Sequence, residues 1–359
     1  MDIISKGHKL NFSFLDVSGG DAIWVRFLGD DQNWHNILID GGYGQQYKNG
    51  FGPLIQSLSE TEDIDLWVIS HIDLDHIGAV LGYMRDRKIH DKKPAVRKFW
   101  FNSSPLFVSE GAGKLGVGQG VKFRELLLRE GLEGEGGITT EMGQKDFWGL
   151  KITILSPTPA KAAVADALWQ DIERTGKLGK KAEHSDYMIK IEKLRNGVFN
   201  EDSNPWNGSS IALLLDFHGI QTLLLGDSHP TVISGSLRRL GVTTKVPLKP
   251  AFVQLGHHGS KANTSTELLE LIDTDTFLVT GNGTRNCHPD KETLVRVLTR
   301  HGRPQREIQF VFPCSTPALR QIFAVDSDPN NLYNFRCTFP ENGNRHVSLN
   351  FLPLTEDLQ

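Results

Sequence analysis

The chain has 359 residues, 38% of them hydrophobic, so it can bury a sizeable core; with no run of about 18 consecutive apolar residues, no membrane span is expected. Its formal charge of −4 excludes a global basic field, so contact with nucleic acid would depend on a local patch. Cys287, Cys314 and Cys337 are odd in number and far apart, the start MDIISKGHKLNFSF lacks the pattern of a secretory signal, and the expected location is the cytoplasm.

Apolar and polar residues alternate over 9–14, 22–27 and 36–39, with Gly19-Gly20 and Gly29-Asp30-Asp31 between them, which predicts consecutive strands of a meander. Residues 64–70, IDLWVIS, form a nearly continuous apolar run, the pattern of a strand buried on both faces. Helical spacing follows over 77–87 and places His76 at a helix N-terminus. A strand is predicted at 96–101, a helix at 122–129, and a strand at 150–155 closed by Ser156-Pro157-Thr158-Pro159. From about 160 to 205, Ala, Lys, Arg, Glu and Asp dominate with a helical period, so a helical insertion is expected. Strands return at 211–217 and 221–225, joined through His218-Gly219-Ile220 as a hairpin. Strand 248–255, helix 267–272, strand 276–280 and helix 291–301 follow. The β-rich C-terminal extension, about 303–359, is expected to hold antiparallel strands at 308–312 and 346–351. Without internal repeats, low-complexity tracts or linkers, residues 1–359 read as a single domain carrying an insertion.

The chemistry concentrates in SHIDLDHIGAV, residues 70–80, where His71, Asp73, Asp75 and His76 fall within six residues after a buried strand. A loop there can turn the first two toward one ion and the last two toward its neighbour. Mixed nitrogen and carboxylate donors suit Zn²⁺, Mn²⁺ or Fe²⁺ rather than Ca²⁺. A solvated acidic loop would need neither the apolar strand before it nor Gly78-Ala79 behind it. In LLLGDSHP, Asp227 stands just past another buried strand, where a carboxylate can bridge two ions; in VQLGHHGS, His257 and His258 stand past a third. Alone, a Gly-Asp is a turn and a His-His-Gly a helix entry, but three such strand ends in one chain favour a shared centre.

The order FLDVSGGDAIWVRF, NILIDGGYG, SHIDLDHIGAV, FWGLKITILSPTP, NGSSIALLLDF, TLLLGDSHP and VQLGHHGSKANTS, over roughly residues 10–298, resembles the metallo-β-lactamase superfamily. It is most similar to the soluble nuclease-like domain of the ComEC-type competence proteins and their stand-alone relatives, through aspartate at the second motif position and through HHGSK. The resemblance implies an α/β protein of the metallo-β-lactamase fold, a four-layer αββα sandwich with its metals at one edge. It implies that His71 and Asp73 hold the first of two divalent ions, zinc or manganese, that Asp75 and His76 hold the second, and that Asp227 bridges. Of the histidine pair, His258 is assigned to metal and His257 to the substrate side, an order the sequence alone leaves open. Asp40 takes the place of a carboxylate that buttresses a metal-bound histidine. Ser260 and Lys261 could meet a phosphate or be ordinary helix-start residues. The superfamily's third metal histidine is missing before 210, and Asn207 is the candidate in its place. Ser18-Gly19-Gly20 replaces the relatives' glycine-glutamine-glycine. His288, in CHPDKETL, matches a late histidine-proline of the competence-type sequences and either reaches the metal edge or caps a helix.

Two ions about 3.5–4 Å apart lower the pKa of a shared water, so hydroxide can attack at neutral pH without a serine or cysteine nucleophile. The leading expectation is a phosphodiesterase or nuclease, with Asp75, His257 and Lys261 as catalytic residues and nucleic acid or a nucleotide as the substrate the resemblance implies. The alternative is hydrolysis of a small ester, lactone or phosphorylated metabolite, with the insertion as a lid, since this fold hosts many chemistries. A non-catalytic metal-binding regulatory module is the reading of another class, and the intact ligand set argues against it. Lys177, Lys180 and Lys181 of the insertion could supply a local basic surface. No protein partner is legible.

Overall fold

The computed structural model describes residues 9–59, 61–86, 95–103, 117–132, 134–175, 185–284, 287–301, 305–341 and 344–352, without the side chains of 117 and 170–175. The first sheet begins with β1 (Leu10–Leu15), β2 (Ala22–Leu28) and β3 (Trp34–Asp40), an antiparallel meander, and continues through β4 (Leu66–Ile69), β5 (Phe99–Phe101) and β6 (Gly134–Glu135) in parallel. The second contains β7 (Gln144–Phe147), β8 (Leu150–Ser156), β9 (Ala212–Phe217), β10 (Ile220–Leu224), β11 (Phe252–Gln254), β12 (Thr276–Leu278), β13 (Ile308–Val311) and β14 (Phe335–Thr338). Its strand order is β14-β13-β12-β11-β10-β9-β8-β7, and β15 (His346–Phe351) closes the first sheet against β1.

Strand periodicity sorts the apolar residues into three cores, and the three cores define four layers. Phe12, Phe14, Ile23, Val25, Ile37 and Ile39 of the first sheet meet Ile152, Leu213, Leu215 and Phe252 of the second in the core between the sheets. Their neighbours one residue along point the other way. Trp24, Leu38, Trp67 and Ile69 pack with residues of the helices Phe51–Ser57, Leu74–Arg85 and Val117–Glu130. Leu214, Leu223 and Val253 pack with residues of the helices Pro230–Arg239, Thr266–Glu270 and Lys291–Thr299. The order is therefore helices, sheet, sheet, helices. Phe252 stands edge-on to both Phe12 and Phe14, at ring-centroid distances of 5.0 and 5.4 Å, and ties the sheets together.

The C-terminal strands correct one expectation. β13 runs parallel to both β12 and β14, whereas β15 pairs antiparallel with β1, so the two strands end in different sheets. Sequence periodicity reports which faces are buried but not which neighbour supplies the hydrogen bonds. Within the segment read as an insertion, one 17-residue helix, Pro159–Thr175, carries the helical period. Beyond it lie only the short helices Ile191–Leu194 and Pro205–Gly208 among the described residues. Lys177, Lys180 and Lys181 lie outside the described residues. No described helix is long and apolar enough to cross a membrane.

Candidate metal centre

The centre lies where strands of both sheets end. β4 delivers Ser70 and His71, and the helix Leu74–Arg85 then begins with Asp73 at its N-cap, Asp75 in its first turn and His76 buried. Asp73 makes no side-chain capping bond, which leaves its carboxylate for other partners. β10 leads to Gly226 and Asp227, and the Asp227 amide donates to Ser210 Oγ at 3.1 Å. Gly226 has φ +49, and a Cβ there would lie 2.6 Å from Ser210 Oγ, so the approach requires glycine. Past β11, both His257 and His258 take left-handed backbone angles, φ/ψ 48/53 and 57/20. Two consecutive non-glycine residues in this region are costly, and such strain is characteristic of functional loops.

Each histidine is anchored through Nδ1, so its Nε2 faces inward. Asp40 accepts from the Ser70 amide at 2.7 Å, from Ser70 Oγ at 2.6 Å and from His76 Nδ1 at 2.7 Å. With its hydroxyl proton given to Asp40, Ser70 Oγ can only accept from His71 Nδ1, 3.1 Å away. His258 Nδ1 lies 3.2 Å from Asp21 Oδ1 and 3.1 Å from Thr280 Oγ1. Gln254 Oε1 accepts from the Leu225 and Gly226 amides, which aims its Nε2 at Asp21 Oδ2, 2.6 Å away.

The inward atoms gather on Asp227. Its Oδ1 lies 3.4 Å from His76 Nε2 and 3.8 Å from His258 Nε2; its Oδ2 lies 3.6 Å from His71 Nε2 and 3.5 Å from His257 Nε2. Asp73 Oδ2 is 3.7 Å from His71 Nε2, and Asp75 Oδ2 is 3.7 Å from His258 Nε2. Nε2 of His71, His76 and His258 and Oδ1 of Asp227 are buried without hydrogen-bond partners. The donor atoms of His71, His76 and Asp227 lie within 4.8 Å of one another, as do those of Asp75, His76 and His258 and those of Asp21, Asp227 and His258. Unpaired buried donors of this kind are costly in a native site unless a ligand satisfies them. Nitrogen and carboxylate donors in this mixture fit zinc or manganese.

The electrostatics express the same need for positive charge. Burial pushes the Asp227 carboxyl up, but His257, His76, His258 and His71 outweigh it and hold it well below the usual carboxylate range. Asp75 is likewise lowered, burial being overcome by His258 and His76. Burial opposes protonation of His258, yet Asp227 and Asp21 push it up to about 10. His76 is raised well above its ordinary value, Asp227 and Asp40 overcoming burial. His257 goes the other way, lowered by burial and by its histidine neighbours against the pull of Asp227.

The remaining residues singled out in the sequence spread around this cluster. Asn207 is buried, and its amide donates to Asp202 Oδ2 at 2.6 Å. Lys261 is half exposed, with Nζ 3.7 Å from Glu292 Oε2. Ser260 is buried, and its Oγ accepts from the Ala262 amide at 3.2 Å. The His288 ring lies 4.8 Å from that of His257, with Nδ1 3.4 Å from Asp290 Oδ2. Sequence reasoning missed Asp21, Ser70, Gln254 and Asn263. Only Gly19-Gly20-Asp21 carried a signal, because Gly20 has φ +98 and a Cβ there would lie 2.3 Å from the Asp75 carbonyl oxygen. A cavity of about 470 Å³ opens beside His71, walled by Ile72, Asn102, Ala162, Trp169 and Trp206.

Residues 16–175 match the family described as the Metallo-beta-lactamase superfamily. Among solved structures, the chain is similar to a HARLDQ-motif mutant of a Cronobacter sakazakii metallo-β-lactamase, with 10% identity, 62% of this chain and 68% of that chain covered, and a TM-score of 0.29. It is also similar to a metallo-β-lactamase from Hirschia baltica, with 10% identity, coverage of 84% and 96%, and a TM-score of 0.29. No curated protein matches the chain.

Proposed function

We propose that this chain belongs to the metallo-β-lactamase superfamily, whose family model it matches over residues 16–175, and that it is a metal-dependent hydrolase centred on Asp227. The observation that carries the reading is the convergence of unpartnered, buried donor atoms on that one carboxylate. In this reading His71 and Asp73 would hold one divalent ion, Asp75, His76 and His258 would hold a second, and Asp227 would contribute to both. Zinc or manganese, when bound there, would supply Lewis acidity and the means to activate water at neutral pH. The chain's own contribution is positional. Asp40, Ser70 and Asp21 fix the imidazole tautomers by accepting from Nδ1, and the buried surroundings keep each lone pair aimed inward.

The substrate class we favour is a phosphodiester, from a nucleotide or nucleic acid. The cavity beside His71 supports this: half-buried Trp206 offers an apolar face of the kind on which a base can rest, next to the donors that would bind its phosphate through metal. The same apolar wall supports a second reading, a small ester or lactone whose uncharged body fills the cavity. Both differ from a regulatory module in requiring turnover. The test is a screen of the metal-depleted chain, reloaded with Zn²⁺ or Mn²⁺, against a generic phosphodiester, single- and double-stranded oligonucleotides, cyclic nucleotides and a lactone. Metal-dependent cleavage confined to the phosphodiesters is the expected result. Lactone hydrolysis alone would move the assignment to the second reading, and two bound ions with no turnover of any substrate would favour the module.

A further inference from the structure

We propose that His257 is a metal ligand, supplying, besides the shared Asp227, the third nitrogen-or-carboxylate side chain for the ion that His71 and Asp73 would hold, and so standing in for the histidine this chain lacks before residue 210. The inference deepens the two-ion reading above and rests on it.

The first observation is how Asp227 is shared. One of its oxygens faces the Nε2 atoms of His76 and His258, and the other faces those of His71 and His257, at 3.6 and 3.5 Å. His257 therefore stands to the His71 side of the carboxylate as His258 stands to the His76 side.

The second observation fixes the His257 tautomer. Asn263 Nδ2 donates to the carbonyl oxygens of Asp227 at 3.0 Å and Ser228 at 3.3 Å, and to Asp202 Oδ2 at 3.2 Å. All three are pure acceptors, so the Asn263 amide cannot be turned around. Its Oδ1 then faces His257 Nδ1 at 3.1 Å, and that nitrogen must carry the proton. The lone pair of His257 is left on Nε2, on the Asp227 side. A proton-donating Nδ1 also removes Asn207 Nδ2, 3.3 Å away, as a hydrogen-bond partner, in keeping with that amide's shorter bond to Asp202.

The third observation is the backbone. His257 holds φ 48 and ψ 53, and its amide donates to the Gly226 carbonyl oxygen at 2.8 Å, one residue before Asp227. The strained turn thus ties the imidazole directly to the loop that presents the shared carboxylate. Asn207, in contrast, commits its amide to Asp202 and acts here as part of the support behind His257.

The test titrates the metal-depleted chain with Zn²⁺ against a chromophoric chelator, for wild type, His257→Ala and Asn263→Ala, with circular dichroism to confirm the fold. Wild type should bind two ions. His257→Ala should keep one at unchanged affinity and weaken the other by about 100-fold or more; Asn263→Ala should weaken the same ion by about 10–100-fold. Two ions bound by His257→Ala with wild-type affinities would overturn the assignment and leave the two-ion reading standing, whereas a wild type that binds no ion would overturn both. Should His257→Ala not fold, ¹⁵N-histidine spectra of the zinc-loaded wild type decide: four metal-coordinated imidazoles support the proposal, and three overturn it.

Discussion

Asp40 makes three hydrogen bonds from a left-handed backbone, φ 54, and through them sets the positions of both Ser70 and His76. Asp40→Asn keeps a side chain that tolerates this backbone but can accept at only one atom, so one of the two oxygens' partners is lost. The chain is expected to fold and to bind metal about 10–100-fold more weakly, read by competition with a chelator. Gly20→Ala tests the opposite kind of constraint. Its Cβ would collide with the Asp75 backbone, so a loss of roughly 1–3 kcal/mol together with weakened metal binding is expected from denaturation and titration. Wild-type stability in that variant would show that the turn does not position Asp75. His71, Asp73, Asp75 and His76 were legible because they crowd into one stretch of sequence. Asp21 and Gln254 were not, because each acts on a residue far along the chain, Asp21 and His258 being 237 positions apart; Asn263 lies only six positions past His257, but its role depends on the left-handed turn that brings the two together.

Elements with strong alternation could be read directly. β1 to β4 fall within a few residues of the apolar periods, since each carries core residues on both faces. β7 was missed because QKDF exposes most of its side chains and pairs only at the sheet edge, and β14, FRCT, buries only Phe335 fully. The parallel pairing of β13 was hidden for a different reason: alternation is the same whichever way the neighbour runs. The contact between sheets carries its own prediction. Phe252→Ala removes a buried ring that meets Phe12 and Phe14 across the interface, and a loss of about 3–5 kcal/mol is expected in chemical denaturation. A loss under about 1 kcal/mol would mean that the sheets close over the gap.

At the scale of the whole molecule, the two sheets meet at a cluster that is poorly satisfied by protein groups alone. Asp21, Asp40 and Asp227 are buried beside His71, His76 and His258, and four of the inward atoms have no partner. Metal that binds the folded chain and not the unfolded one should therefore stabilise it, by about 2.7 kcal/mol at a hundredfold excess over Kd. Adding Zn²⁺ or Mn²⁺ to metal-depleted protein is expected to raise Tm by on the order of 5 °C, reversibly with a chelator. The sequence placed these donors at strand ends, but not the shared geometry of the two Asp227 oxygens, which depends on both sheets meeting. Metal content measures that sharing directly. After equilibration with Zn²⁺ and removal of free metal, wild type should retain two ions per chain by mass spectrometry, and a folded Asp227→Ala should retain at most one; two ions retained by both proteins, or none by wild type, would contradict it.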